Sequence, residues 1–347
     1  REMKLFCEEG IGNRKIVQMH LGGGTPTFLK PDEIKRLGSI IHRHFGETTG
    51  CEAGVEVDPR RLTKEHVTAL WEAGFNRASM GVQDNNAKVQ KAVNRIQPMD
   101  ITHASVEWLR ETGFESINID LIYGLPFQTE SSFEKTLDEI IGLSPNRLAV
   151  FSYAHVPWIK PAQKILERDN LPTPETKLSL LKLIIEKLTS EGYVYIGMDH
   201  FARPDDELAV AQNQKTLQRN FQGYSTFGGA DIHAFGMSSV SQIPDAYWQN
   251  IKDLKDYYRS LDDGKTPVSK ACILTGQEKK HRTVITRLMC DLSLDYDDLS
   301  SNLDINFREE FATTLEGLED MENDGLLRRN ESGLTVTDAG RLFIRNI

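Results

Sequence analysis

The sequence predicts an α/β fold class: a partial, TIM-like parallel barrel of about six strands, followed by a mostly helical C-terminal domain. Short apolar runs typical of strands alternate with amphipathic runs typical of helices up to about residue 200. Gly74, Gly113 and Gly192 each close a helical run and precede a strand, at spacings of 39 and 79 residues. A helix–strand unit therefore repeats about every 40 residues, as in a parallel barrel.

The individual elements follow from this alternation. The predicted strands are 15–21, 51–57, 76–82, 116–123, 147–153 and 193–198, and the predicted helices are 31–45, 63–73, 100–112, 130–143 and 174–190. In strand 116–123 the apolar odd-numbered residues alternate with Asn118 and Asp120. Because alternate side chains point to opposite faces of a strand, Asp120 is expected to point into the barrel.

The repeat fades after about residue 200, and we place a domain boundary between residues 267 and 268. Residues 1–267 are expected to form the barrel and its extension. Residues 268–347 are expected to form a winged-helix-like domain with a hairpin over 325–336 and a helix from Asp338. Between Met289 and Gly325 there are 12 acidic residues and one basic residue. Such a surface repels a phosphate backbone, so a packing role is predicted for this domain rather than nucleic-acid binding.

Composition narrows the class of protein. The 347 residues include 41 Lys and Arg against 51 Asp and Glu, a net charge of −10, which argues against nucleic-acid binding through a basic surface. No run approaches the roughly 20 apolar residues of a membrane span. The cysteines, which are Cys7, Cys51, Cys272 and Cys290, are too far apart for a metal loop or a disulfide framework. We therefore expect a cytoplasmic protein, monomeric by default, with no nucleic-acid partner and no membrane span.

Candidate functional residues follow the predicted strands, because the C-terminal ends of barrel strands carry functional groups. The loop Gly22-Gly-Gly-Thr-Pro26 follows the first strand, and its glycines let the backbone approach a ligand closely. A plain turn explains the same residues equally well. Glu56 ends the second strand, where a carboxylate can bind an ammonium group. Asp58 is explained as a helix cap before Pro59.

Further polar residues belong to the same rim in this interpretation, each with a structural alternative. Gln83 ends the third strand. Asp120 requires a partner if it is buried, and pairing with an interior arginine or lysine would make it purely structural. Arg95 lies in a loop and His155 follows the fifth strand; a surface charge and a structural histidine are their alternatives. Arg203 follows the sixth strand and is a candidate cation for an anionic substrate, with an ion pair to a nearby aspartate as the alternative.

Seven longer strings are together far more specific than any of these residues. They are LGGGTPT (21–27), VEVDP (55–59), SMGVQD (79–84), NIDLIYGLP (118–126), GMDHFARPDDELA (197–209), RNFQGY (219–224) and GRLFIRN (340–346). In this order they resemble the bacterial oxygen-independent coproporphyrinogen III oxidases of the radical S-adenosylmethionine superfamily. The resemblance extends over essentially the whole chain.

The resemblance implies a barrel of the radical S-adenosylmethionine type and a known reaction. Two propionate side chains of coproporphyrinogen III would be oxidatively decarboxylated to vinyl groups, giving protoporphyrinogen IX in anaerobic haem biosynthesis. The implied cofactors are a 4Fe–4S cluster and two molecules of S-adenosylmethionine. An electron donor for the cluster and an electron acceptor, which the sequence does not identify, are the implied partners.

The resemblance also implies cofactor contacts at the positions that match the family motifs. For the cluster-bound S-adenosylmethionine they are Gly23, Glu56 and Val240, with Glu56 holding the amino group. For the second molecule they are Gly24, Thr25, Gln83, Arg95, Asp120 and Ala154. The strand pattern by itself gives no reason to select Val240.

The chain departs from the family pattern at the cluster ligands. The family's three thiolates lie in a C-x-x-x-C-x-x-C loop upstream of the glycine-rich motif, which places them before Arg1, and Cys7 and Cys51 do not replace them. We expect a fragment of a protein that has this loop rather than a protein that has lost its cluster, because Glu56, Gln83 and Asp120 are retained. The polypeptide as written is expected to be inactive.

Two other functions compete with this interpretation. One is the related haem-binding chaperone of the same superfamily, a carrier without oxidase activity; the string at 197–209 favours the oxidase. The other is a non-catalytic interaction module on a degenerate barrel, with the acidic C-terminal region as its contact surface.

Overall fold

In the computed structural model, which describes residues 1–11, 15–46, 48, 50–168 and 171–347, the chain divides into two compact units. Residues 15–209 form the barrel unit, and residues 1–11 together with 210–347 form the terminal unit. The predicted boundary at 267/268 does not coincide with this division. It falls just before a strand, Val268–Ile273, that pairs with the preceding strand inside the terminal unit.

The strands are β1 (Gln18–Leu21), β2 (Glu52–Val57), β3 (Arg77–Gln83), β4 (Ser116–Tyr123), β5 (Arg147–Ser152), β6 (Val194–Gly197), β7 (His200–Ala202), β8 (Gln218–Asn220), β9 (Gly223–Ser225), β10 (Val240–Ile243), β11 (Ala246–Asn250), β12 (Val268–Ile273), β13 (Ser293–Asp295), β14 (Leu327–Arg329) and β15 (Gly333–Val336).

The α-helices are α1 (Glu2–Phe6), α2 (Pro31–Phe45), α3 (Lys64–Glu72), α4 (Ala87–Ala92), α5 (Met99–Thr112), α6 (Glu130–Gly142), α7 (Pro174–Ser190), α8 (Glu207–Asn213), α9 (Leu254–Asp262), α10 (Gly276–Asp291), α11 (Tyr296–Leu303), α12 (Phe307–Glu310), α13 (Ala312–Glu316), α14 (Glu319–Asn323) and α15 (Asp338–Arg341). Cys7–Ile11 is a π turn, and Pro26–Phe28 and Pro161–Arg168 are 3₁₀ helices.

A seven-stranded sheet in the order β1-β2-β3-β4-β5-β7-β6 forms the barrel unit. Strands β1 to β5 are parallel, which confirms the incomplete parallel barrel, and all six predicted strands are present. The sequence pattern missed β7, a strand of three residues that runs antiparallel to both β5 and β6. Met198, with φ at +53°, starts the tight reversal between β6 and β7.

Alternation along the strands separates the core from the open face of the sheet. Ile117, Ile119 and Leu121 of β4 are at most 1% exposed and pack under the helices, whereas Asn118 and Asp120 are partly exposed on the other face. Helices α2, α3, α5, α6 and α7 cover the apolar face, and all five match predicted helices. The helix-ending glycines at 74, 113 and 192 all adopt positive φ, as their repeat predicts.

The terminal unit contains the sheets β10-β11-β12 and β13-β15-β14, together with the β8–β9 hairpin. The predicted hairpin is confirmed as β14 and β15, whose turn is closed by the amide of Asn330 donating to the carbonyl of Gly333. The predicted final helix is α15. In the described residues we find no helix with the length and apolar character needed to cross a membrane.

Candidate active site

The glycine-rich loop after β1 forms one wall of the candidate site. Gly23 and Gly24 have φ of +77° and +69°, a backbone conformation in which any other side chain would be strained. Apart from the adjoining residues, no atom of the described chain lies within 4 Å of where a Cβ would be placed at either position. At Gly22 a Cβ would lie 2.8 Å from Oε1 of Glu56. The glycines therefore leave space above the backbone and let the loop approach the end of β2.

Glu56 lies against this loop with an ionised, half-exposed carboxylate. Its Oε1 is 3.4 Å from Nε2 of His20, and its Oε2 accepts from the amide of Gly23 at 3.3 Å. The interaction with His20 is the main reason why the pKa of Glu56 is lowered, and burial opposes it. His20 is not among the residues predicted from the sequence, although its position on β1, two residues before the glycines, was a usable signal.

Gln83 and Arg95 meet above Gly81, near the end of β3. Gln83 has φ at +73°, and the register between β3 and β4 shifts between Gly81 and Gln83. Nη2 of Arg95 donates to the carbonyl of Gly81 at 2.6 Å and lies 3.5 Å from Oδ1 of Asp58. Nε of Arg95 is buried and has no hydrogen-bond partner among the described residues. This side of the rim therefore has hydrogen-bond donors to offer to a ligand.

Asp58 anchors Arg95 and does not have its predicted role as a helix cap. Its carboxylate accepts two hydrogen bonds from the side chain of Arg60, at 2.9 and 2.7 Å, and one from the amide of the same residue. The following helix, α3, begins at Lys64 and is capped by Thr63. The reason is that Pro59 starts a separate turn here, so that four residues lie between Asp58 and Thr63.

Asp120 points to the open face of the sheet, as the alternation on β4 predicts. Ser79 Oγ donates to its Oδ2 at 3.1 Å, and Asn118 Nδ2 donates to its Oδ1 at 2.7 Å. Burial raises the pKa of Asp120 to about 6 despite these two hydrogen bonds; the charge of Glu56 adds to the rise and that of Arg95 opposes it. No arginine or lysine forms a salt bridge with Asp120 in the described part of the chain, so the structural alternative of an interior ion pair is not realised.

Ala154 lies where the chain leaves β5. Its carbonyl accepts from Nε2 of Gln163 at 3.1 Å, and the amide of the preceding Tyr153 donates to the carbonyl of Tyr123 at 2.8 Å. His155 next to it is held on both sides, by Tyr153 Oη and by Glu167 Oε1, each at 3.2 Å. The segment after β5 is therefore fixed by hydrogen bonds at the same edge as the other candidates.

Eight predicted residues thus share the carboxyl edge of one sheet: Gly23, Gly24, Thr25, Glu56, Gln83, Arg95, Asp120 and Ala154. The other two predicted residues belong to different parts of the fold. Val240 is the first residue of β10, in the terminal unit. Arg203 lies at the opposite edge of the barrel sheet, because β7 runs antiparallel to β5 and the Arg203 amide donates to the carbonyl of Asn146. Its guanidinium lies 4.4 Å from the ring centre of Tyr193.

The donor set at this edge fits an amino-acid-bearing, partly cationic ligand such as S-adenosylmethionine. An ionised carboxylate faces the open glycine loop, where it can accept from an ammonium group. The unpartnered Nε of Arg95 and the amide of Gln83 can meet acceptor groups. The residues that the structure describes contain no group of three His, Cys, Asp or Glu side chains placed to hold a metal ion, so they do not provide an iron–sulfur ligand set.

Comparison with known families matches two parts of the chain. Residues 2–140 match the radical SAM superfamily, and residues 274–343 match the HemN C-terminal domain. The first match contains the glycine loop, Glu56, Gln83, Arg95 and Asp120. The second covers most of the terminal unit after β12.

Individual relatives match nearly the whole chain. It is 44% identical to the oxygen-independent coproporphyrinogen III oxidase of Pseudomonas aeruginosa over 349 residues, covering 100% of this chain and 76% of that protein. The corresponding protein of Escherichia coli K12 is 46% identical over 337 residues, covering 97% and 74%. The solved coproporphyrinogen III oxidase (HemN) from Escherichia coli, described as a radical SAM enzyme, superposes with a TM-score of 0.96 at 44% identity, over 99% of this chain and 80% of that one. The chain therefore belongs to the oxygen-independent coproporphyrinogen III oxidase family of radical SAM enzymes.

Proposed function

We propose that this chain carries the S-adenosylmethionine sites of an oxygen-independent coproporphyrinogen III oxidase. The enzyme converts coproporphyrinogen III to protoporphyrinogen IX, and each of two propionate side chains loses a hydrogen atom, CO₂ and one electron as it becomes a vinyl group. The observation that carries the proposal is the contact between the glycine loop and Glu56 at the carboxyl edge of the barrel sheet. The chain as a whole is 44–46% identical to such oxidases. Bound S-adenosylmethionine supplies the radical that removes the hydrogen atom.

Two S-adenosylmethionine molecules share this edge in our proposal. Gly23, Glu56 and Val240 contact the first, whose ammonium group is held by the ionised carboxylate of Glu56. The second is contacted by Gly24, Thr25, Gln83, Arg95, Asp120 and Ala154. Support comes from the contrast between two carboxylates, since Glu56 has a lowered pKa and Asp120 a raised one. Both carboxylates are largely ionised at pH 7, but Asp120 gains a proton near pH 6 and Glu56 only at a lower pH, so the two carboxylates offer a ligand different environments.

The remaining partners are also part of the proposal. An external electron donor would supply the electron that the 4Fe–4S cluster of the family requires, and an acceptor would take the electron that leaves with each CO₂. We propose that the protein acts as a monomer. We also propose a reducing compartment such as the cytoplasm, which is consistent with the four free cysteines.

Anaerobic turnover of coproporphyrinogen III by the reconstituted full-length protein tests the proposal, with protoporphyrinogen IX measured after oxidation to the fluorescent porphyrin. We expect conversion that depends on added S-adenosylmethionine and a reductant. Haem binding without conversion would contradict the oxidase and favour the chaperone. Equilibrium dialysis of S-adenosylmethionine should give two molecules per chain; one molecule would remove the second site, and none would favour the interaction module.

A further inference from the structure

A lysine that the sequence analysis did not select lies at the same edge of the sheet. Lys177 is in the first turn of α7, and its side chain crosses the end of β4, where a Cβ on Gly124 would lie 2.9 Å from Lys177 Cε. Its Nζ donates to the carbonyl of Tyr153 at 3.0 Å, just after the end of β5. The ammonium group therefore lies between the carboxyl ends of two neighbouring strands.

No carboxylate in the described part of the chain neutralises the charge of Lys177. Among the described residues no carboxylate lies within 4.0 Å of its Nζ, although other lysines of the barrel unit form such pairs, for example Lys187 with Asp138 at 2.6 Å. The side chain is partly buried, and desolvation alone lowers the pKa of Lys177, without a compensating charge. An ammonium group has three donors, and the carbonyl of Tyr153 takes one of them.

The carbonyl that holds Lys177 is itself held in place. Tyr153 Oη is 3.2 Å from Nδ1 of His155, and Nε2 of His155 is 3.2 Å from Oε1 of Glu167. This Tyr153–His155–Glu167 chain fixes the segment after β5 and with it the acceptor of the lysine. A preorganised cation loses less conformational entropy when it binds an anion than a freely rotating surface lysine does.

We infer that Lys177 binds a carboxylate of a bound ligand at the rim between β4 and β5. The inference rests on the proposed function, because two ligands of that reaction carry carboxylates: coproporphyrinogen III has four propionate groups, and S-adenosylmethionine has one amino-acid carboxylate. Removal of an anion from water into a partly buried site requires a cation with free donors, which Lys177 provides. Arg203, the cation predicted from the sequence, is at the other edge of the sheet.

The test compares Lys177→Met and Lys177→Arg with Lys182→Met in the reconstituted full-length enzyme. Lys182 is on the same helix and pairs at the surface with Glu186, 3.7 Å away, so its variant controls for a lost lysine on α7. Steady-state turnover gives KM and kcat for coproporphyrinogen III, equilibrium dialysis gives the Kd of S-adenosylmethionine, and thermal unfolding checks the fold.

We expect Lys177→Met to raise either the KM for coproporphyrinogen III or the Kd of S-adenosylmethionine about tenfold, which corresponds to the loss of one charge-assisted hydrogen bond at a partly exposed site. The kcat and the Tm should change little. A raised KM identifies the propionate, and a raised Kd identifies the cofactor carboxylate. Lys177→Arg should restore most of the lost affinity, which a purely packing role would not predict.

The inference is overturned if both constants stay within twofold of wild type in Lys177→Met, or in Lys177→Gln should the first variant not fold. Wild-type enzyme that does not convert coproporphyrinogen III would instead refute the proposed function. The two failures are therefore distinguishable in one set of measurements.

Discussion

The two edges of the barrel sheet are both lined with charged residues, yet they use them in different ways. At the carboxyl edge, Glu56, Arg95, Asp120 and Lys177 each keep binding capacity that the described residues do not satisfy. At the amino edge, the charges satisfy one another. Charged residues at the amino edge therefore stabilise the fold, whereas those at the carboxyl edge are available to bind a ligand.

The amino edge is built from the first residues of the strands. Gln18, Glu52, Arg77 and Arg147 begin β1, β2, β3 and β5 respectively, and Glu207 begins α8. Glu207 accepts from Arg77 Nη2 and from Arg147 Nη2, both at 2.8 Å. Gln18 Nε2 donates to Glu52 at 2.9 Å, and Glu52 shares a hydrogen bond with Glu207. Of these side chains, Arg77 retains one buried nitrogen, Nε, that has no hydrogen-bond partner among the residues the structure describes.

This difference shows why charge alone is a poor guide to function. Arg147 donates to Asp206 and to Glu207, both at 2.8 Å, and its side chain is 16% exposed. Lys177 is also partly buried, but its only partner in the described chain is a carbonyl. A buried charge with a complete set of partners is explained by the fold, whereas one without a counter-charge requires a further reason.

The largest effect is expected from breaking the amino edge at its centre. Arg147→Met leaves Asp206 and Glu207 without their shared partner, and Asp206 is only 6% exposed. Removing one partner of a buried ion pair costs about 3–5 kcal/mol of the free energy of unfolding. Denaturant unfolding should show this loss, while Arg259→Met, which breaks the exposed pair with Asp256, should stay within about 1 kcal/mol.

A substitution at the carboxyl edge is expected to lower stability less than Arg147→Met does and to weaken ligand binding more. Glu56→Gln removes the negative charge that we propose for the cofactor ammonium, and the Kd of S-adenosylmethionine should rise roughly tenfold, since the carboxylate is half exposed. Glu72→Gln is the matched control, because Glu72 pairs with Lys35 on the surface. Loss of stability without loss of affinity would mean that Glu56 belongs to the same class as the amino-edge charges.

Asp120 provides a pH-dependent test of the carboxyl edge. Its pKa of about 6 means that it is largely ionised at pH 7 and largely protonated at pH 5. A ligand that donates to the ionised carboxylate should therefore bind about tenfold more weakly at pH 5 than at pH 7. Glu56 does not contribute to this window, because its pKa is below the ordinary value of 4.5.

The measurement is the Kd of the second S-adenosylmethionine by equilibrium dialysis between pH 5 and pH 7. Asp120→Asn should remove most of the pH dependence, whereas His20→Gln, which changes the partner of Glu56, should leave it in place. A pH dependence that persists in Asp120→Asn would show that another group titrates.

Much of the barrel could be predicted from the sequence, because its signals are local. Helices α2 and α7 have the predicted bounds, since each begins at a proline and keeps a continuous apolar face. Strand β7 could not be predicted: three residues are too short for an alternation pattern. Its reversal carries Arg203 to the amino edge, and for that reason the predicted substrate cation lies away from the site.

The site residues that the sequence pattern predicted lie on the strands or in the loops that follow them. Glu56 and Asp120 follow from the strand pattern, whereas Lys177 lies 24 residues after its acceptor, Tyr153, and within an ordinary helical turn. The amino-edge network is equally non-local, since Arg147 and Glu207 are 60 residues apart. Long-range pairs of this kind depend on the order of the strands, which no local pattern contains.

The smallest effect is expected at Glu52, a carboxyl group of the amino edge whose protonation contributes to the free energy of unfolding. Burial is the main reason why the pKa of Glu52 is raised above 4.5, and its neutral form can donate to Glu207. Because the folded state binds this proton more tightly than the unfolded state, Glu52 favours folding below about pH 4.5 and this contribution is lost as the pH rises through the raised value. Glu52→Gln, which keeps a neutral donor, should change stability at pH 7 by less than about 1 kcal/mol, with any change toward greater stability. It should also flatten the pH dependence of the free energy of unfolding above pH 4.5.

The control is Glu111→Gln, which breaks the exposed pair with Lys64 and should leave that pH dependence unchanged. A loss as large as that of Arg147→Met would mean that Glu52 acts as an ionised member of the network.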